Sequence, residues 1–223
     1  MSDLTLSVLS EDLVTALWET LIMVGISLFL SIVIGIPLGF LVFLTRKGML
    51  AENRFLNAAG GLAINFIRSL PFVILLILVL PFSKLVTGHS TGPYAASVPL
   101  SVASIAFFAR LVEVALCEVD RGVIEAAAAM GAKNGLIIRE VLFPEALPGL
   151  VRGLTVTAVS LIGYSAMAGV VGGGGIGFLA INYGYYRYET GVMIATVIVL
   201  IAIVQLVQWL GDRRADRIVS RRK

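Results

Sequence analysis

Gly172, Gly174 and Gly177 stand at the G-x-G-x-x-G spacing with which a turn brings backbone N–H groups onto a pyrophosphate. That chemistry needs a strand before the turn, inside a βαβ unit. Here the glycines close a long apolar run, VSLIGYSAMAGVVGGGGIG, so a dinucleotide site is excluded. No G-x-x-x-x-G-K-[ST] phosphate loop occurs, and GAKNG at Gly131–Gly135 is not one. The single histidine, His89, lies in a short polar loop and gives metal binding little support. The single cysteine, Cys117, excludes an intrachain disulfide. It ends an apolar run and is expected as a small buried residue. No Ser/His/Asp set or metal cluster is present, so the sequence offers no catalytic residues, no metal ligands and no cofactor site of its own.

The elements that carry these residues are apolar. The chain has 223 residues, of which 58% are hydrophobic and 14% charged, with a mean hydropathy of +0.98. A soluble domain carries about 25% charged residues. The apolar residues come in blocks of about 20 or more, the length that crosses ~30 Å of hydrocarbon as a helix. Five blocks, at about 17–44, 57–83, 94–116, 154–171 and 190–210, predict an all-α polytopic membrane protein, a single transmembrane domain over 1–223. Isolated spans must satisfy their backbone internally, which helices do. No alternation of period two supports a membrane barrel. The N-terminal MSDLTLSVLSEDLVTALWET has neither a basic start nor a small-residue cleavage site, and is not expected to be a cleaved signal peptide.

Charge sets the orientation. Arg46, Lys47 and Arg54 fall in the first loop, and Arg110, Arg121, Lys133, Arg139 and Arg152 in the segment between spans three and four. Arg213, Arg214, Arg217, Arg221, Arg222 and Lys223 crowd the tail. Only Lys84 and Arg187 fall on the other side, and Arg68 within a span. The positive-inside rule then predicts the N-terminus outside and the C-terminus in the cytoplasm. The net charge of +3 is a topological signal and carries no argument for nucleic acid. The basic tail suits anionic membrane lipid, or serves only as a topology anchor.

The longest stretch outside the bilayer is then cytoplasmic: EAAAAMGAKNGLIIREVLFPEALPG, Glu125 to Gly149, within a segment from about 120 to 145. EAAAAM is strongly helix-forming. Gly131 fits a left-handed helix end. Asn134 is expected to cap a second helix, GLIIREVLF, and Pro144 to end it. Two short surface helices follow, and two roles stay open for them: resting on lipid, or docking into a partner's groove.

The order Glu125-Ala126-Ala127, three residues, Gly131, nine residues, Val141-Leu142-Phe143-Pro144 resembles the EAA motif of ABC-importer permeases, with Val141 for Ile and Phe143 for Leu. RSLPFVIL from Arg68, SAMAGVVGGGGIGFLAINYGYYRYET from Ser165 and the five-span plan are similar to the methionine importer permeases, over nearly the whole chain. The resemblance implies the membrane subunit of an ATP-driven importer for D- and L-methionine, in a bacterial inner membrane. It implies that Glu125, Ala126, Ala127, Gly131, Val141, Phe143 and Pro144 form coupling helices seated on a separate ATPase subunit. ATP and Mg would be bound by that partner. The implied assembly has two copies of this chain, two ATPase subunits and an external methionine-binding protein. The rival expectations are an ABC permease for another small solute, a stand-alone secondary transporter and a membrane scaffold.

Five helices enclose an amino-acid path poorly, whereas a two-fold dimer places one on its axis. Gly35 and Gly39 form a GxxxG for close helix packing, within one chain or across that dimer. Thr157, Ser160, Tyr164 and Met167 share one helix face and are the candidate path residues, with Met167 as a gate. Bonding to their own helix is the competing role for the hydroxyls. Gly172, Gly173, Gly174, Gly175 and Gly177 are expected as an external turn, open to a docked binding protein or merely packed. Arg68 faces a cavity, or snorkels to the interface.

Overall fold

The computed structural model describes residues 3–220, with side chains from residue 11 onward, so Arg221, Arg222 and Lys223 lie outside the described residues. The described residues are helical with no strand. Helix α1 (Asp3–Leu30) passes through a π-helical turn at Ser31–Gly35 into α2 (Ile36–Leu44). A loop leads to α3 (Arg54–Ser69) and α4 (Phe72–Thr87), then α5 (Pro93–Cys117). The short α6 (Arg121–Ala129) and α7 (Asn134–Ile137) precede a second π turn, Ile138–Leu142, and α8 (Phe143–Val170). A short α9 (Gly175–Leu179) with a third π turn, Ala180–Tyr185, leads to α10 (Thr190–Ser220).

Four helical runs, Glu11–Leu44, Pro93–Cys117, Asn134–Val170 and Thr190–Ser220, are long and apolar enough to cross a membrane. The block expected as one span over 57–83 is the pair α3 and α4, bent by 107°, which makes a fifth candidate when taken together. The cause is local. Pro71 drives Leu70 into the extended region, with φ −84° and ψ 131°, because the ring clashes with an α-helical predecessor.

Prolines also explain the first two π turns. Pro37 follows Ser31–Gly35 by two residues, and Pro144 follows Ile138–Leu142 by two. A proline has no N–H for the carbonyl one turn back and crowds it. Widening that turn relieves the clash without ending the helix. The expectation that Pro144 ends a helix is therefore corrected: one helical run continues from Asn134 to Val170 over 37 residues. Asn134 is not a cap either. Lys133 holds the cap position, and the Asn134 amide donates to the Leu50 carbonyl at 2.9 Å.

Helix α5 is the hub, packed against α1, α2, α3, α4 and α8. Leu100, Phe108, Val112 and Leu116 are buried along it. The GxxxG glycines meet this helix within the same chain. A Cβ on Gly39 would lie 2.6 Å from Val112 Cβ, and one on Gly35 would lie 3.3 Å from the Ile105 carbonyl oxygen. Lipid gives apolar side chains no reason to cluster, so close backbone approach and buried hydroxyls hold such helices. Ser31 Oγ donates to Ser104 Oγ at 2.7 Å, and Ser101 Oγ to Ser27 Oγ at 3.3 Å. Ser27 Oγ also reaches the Ser97 carbonyl at 3.2 Å. Helix α10 lies at the edge, along α8, with Ile194, Ile198 and Ile201 exposed.

Arg110 sits inside α5 and not in the segment after it. Cys117, expected as buried, is exposed at the end of that helix, with Arg46 Nη1 2.8 Å from its sulfur.

Candidate functional site: a helical hairpin and the helix it continues into

Asp120 starts α6 by accepting the Gly122 amide at 2.8 Å. Gly131 ends it in the left-handed region, φ +80°. The Ala132 N–H reaches back to the Ala127 carbonyl at 3.1 Å and the Gly131 N–H to Ala128 at 2.9 Å. This closes a Schellman-type end and turns the chain sharply into α7. The motif residues divide by face. Ile124, Ala127, Ile137 and Leu142 are buried against Phe40, Phe43 and Leu116. Glu125, Ala126 and Gly131 face outward, and Phe143 is exposed, with Val141 and Pro144 half-buried. Met130 is 81% exposed and Leu136 54%. The hairpin thus shows a small, flat surface with an apolar rim, over a packed base.

The base is held by groups that sequence reasoning did not single out together. The loop between α2 and α3 lies under the hairpin through the Asn134–Leu50 bond, and Glu52 accepts the Gly48 amide at 2.9 Å. Beneath it Glu113 is buried on α5, paired with Arg110 and with Arg46 at 3.9 Å. The signal for the Arg110 pair was the three-residue spacing on one helix. Nothing in the sequence spacing pointed to Arg46, which arrives from another loop.

The structure separates the four candidate path residues. Thr157 is fully buried, and its hydroxyl donates to the Gly153 carbonyl at 2.8 Å on its own helix. Tyr164 stacks on Phe72 of α4, with ring centroids 4.5 Å apart. Ser160 is half-buried and Met167 is exposed on the outside of the chain.

The glycine turn is built by packing. Gly172, Gly174 and Gly175 all have positive φ. The Gly92 N–H donates to the Gly172 carbonyl at 2.8 Å. Glu19 of α1 accepts the Gly175 amide at 2.7 Å, and Thr20 Oγ1 accepts that of Ile176 at 3.0 Å. Gly177 lies against Ala166 with no room for a Cβ. Gly173, Gly175 and Gly177 are buried, and only Gly172 and Gly174 keep a partly open surface. The Glu19 and Thr20 caps join positions 156 residues apart, so no local pattern announced them.

Residues 32–220 match the family of binding-protein-dependent transport system inner membrane components. The chain belongs to that family. This permease is 48% identical over 212 residues to the probable D-methionine transport system permease protein MetI of Vibrio cholerae, covering 95% of this chain and 94% of that one. It is 52% identical to the corresponding protein of Pasteurella multocida, over 89% of this chain and 92% of the relative. Against the methionine import system permease protein MetP of Bacillus subtilis the identity is 48%, over 77% and 78% of the two chains. Among solved structures, the permease superposes on a chain of the MetNI methionine ABC transporter in an inward-facing conformation. The TM-score is 0.92 at 44% identity, over 98% of this chain and 99% of that one. An amino acid ABC transporter solved with histidines shares the fold, with a TM-score of 0.80 at 17% identity, over 97% of this chain and 99% of that one.

Proposed function

We propose that this chain is the membrane-spanning subunit of an ATP-driven methionine importer of a bacterial inner membrane. The observation that carries it is the hairpin at Arg121–Leu142. It shows Glu125, Ala126 and Gly131 outward on a buried base, and it runs without a break into α8. A channel or secondary transporter has no use for such a surface. The relatives are named for methionine transport.

In this reading the N-terminus is outside, and the hairpin and the C-terminus are cytoplasmic, as the distribution of Lys and Arg supports. Two copies of the chain share a two-fold axis. Each seats its hairpin on an ATPase subunit, which binds the ATP and Mg. Closure of the ATPase pair moves Glu125–Phe143, and α8 carries that motion toward Tyr164 and Met167. Alternating access follows, with substrate delivered by an external binding protein. Both D- and L-methionine fit a permease that leaves most selection to that protein. Of the path candidates, Ser160, Tyr164 and Met167 keep some surface for the task. Gly172 and Gly174 keep the only part of the glycine turn that a binding protein could approach.

The test is uptake of labelled methionine into vesicles carrying permease, ATPase and binding protein, with Gly131→Asp beside the unmodified chain. Aspartate gives up glycine's ease at φ +80° and adds a negative charge to the outward face. We expect ATP-dependent uptake that the variant loses while still inserting in the membrane. Uptake indifferent to ATP and to Gly131 would sink this reading.

A further inference from the structure

The break between α3 and α4 encloses a feature that coupling does not use. A cavity of about 180 Å³ opens there, lined by Arg68, Leu70 and Phe72 at the break, by Ala103 and Phe107 of α5, and by Tyr164 of α8, among others. Among the described residues its only charged lining residue is Arg68, in the last turn of α3. Among the described residues the Arg68 guanidinium, which is exposed, has no ion pair or hydrogen bond.

Depth gives this meaning. Ala103 and Phe107 lie near the middle of the 25-residue α5. From Phe107 to the C-terminal end of that helix is about 15 Å at 1.5 Å per residue. That places the cavity beside the apolar part of α5. A charge within a membrane segment faces a wet cavity or an opposite charge. Among the described residues no carboxylate lines the cavity to supply one. The walls beside it are apolar and aromatic, with the stacked Phe72–Tyr164 pair at one side. The volume is below the ~300–1,000 Å³ of a pocket that encloses a small molecule, so it fits one end of a solute in passage.

We propose that Arg68 and the Phe72–Tyr164 pair form a substrate subsite within the membrane, which binds the α-carboxylate of the transported amino acid. The guanidinium takes the carboxylate through two parallel N–H donors, the geometry that arginine offers and lysine does not. The aromatic faces take the apolar side chain, and a thioether suits such contact. The subsite rests on the importer reading above, and extends it from the coupling surface to the substrate.

Peptide-resolved labelling of Arg68 with phenylglyoxal, on the purified permease–ATPase complex in nanodiscs, tests this directly. We expect methionine to slow the labelling severalfold and methioninamide, which lacks the carboxylate, to leave it unchanged. Equal protection by both compounds, or by neither, overturns the subsite. In vesicles, Arg68→Gln is expected to lower uptake about ten- to a hundredfold, the weight of a hydrogen bond to a charged group. Arg68→Lys is expected to be intermediate in uptake. Normal uptake by Arg68→Gln overturns the proposal, and should that variant fail to assemble, the labelling of the unmodified complex decides. Protection by norleucine or leucine, in a complex that transports no methionine, would remove the methionine reading and leave the carboxylate subsite standing.

Discussion

Glycines in this chain do opposite things according to what stands opposite them. Gly39 touches α5 so closely that a methyl group would overlap Val112 and the Ala109 carbonyl oxygen, at 2.6 and 2.7 Å. Gly25 sits in α1 with nothing within 4 Å of its would-be Cβ. Gly39→Ala should therefore destabilise the permease by about 1–3 kcal/mol, the usual cost of overpacking. Gly25→Ala should be neutral, or stabilising by up to ~1 kcal/mol through helix propensity alone. Thermal unfolding of the two variants in one detergent checks the contrast, and equal shifts would contradict it. The glycines were visible in the sequence as GxxxG, but their partner was not. Spacing identifies a small face and is silent on which helix fills it. Cys117 shows the same limit: an apolar run predicted burial, yet the helix ends where that residue meets the Arg46 guanidinium.

At the scale of elements, the legible features were those with a local cause. Gly131 at φ +80° follows from a helix-forming run ended by glycine. The apolar blocks followed from hydropathy. Pro144 was misread because a proline's local cost can be met by a π turn as well as by a helix end. That choice depends on whether tertiary packing rewards continuing, and here Leu142, Ala146 and Leu150 are buried on either side of the proline. The bend at Leu70–Pro71 went the other way, into a break of 107°. The serines joining α1 to α5 were equally hidden, since their partners lie 70 to 77 residues away. Replacing one should cost little. In Ser31→Ala, Ser104 keeps its bonds to Ser27 and Ser101 carbonyls. The expected loss is about 0.6 kcal/mol, typical of interhelical hydrogen bonds in membranes. A loss several times larger, read from unfolding in mixed micelles, would mean that the network acts as a unit.

The whole molecule offers its own test of orientation. Cys117 is the single cysteine and is exposed beside the hairpin. A maleimide that cannot cross the bilayer should label inverted vesicles and leave right-side-out vesicles unlabelled until they are lysed. Labelling from outside alone would reverse the topology and place the hairpin beyond reach of any ATPase. The helical run Asn134–Val170 starts in the hairpin and ends at the glycine turn, and carries Tyr164 and Met167 on the way. It has no loop in which a displacement could be absorbed. In the proposed importer it would act mechanically as a lever arm. From Leu142 to Met167 is about 37 Å at 1.5 Å per residue. A tilt of ~5° about the hairpin end moves the far end by about 3 Å over that length, comparable to the width of a water molecule. Work done by a nucleotide outside the membrane can thus reach the solute inside it without any bond being remade along the way.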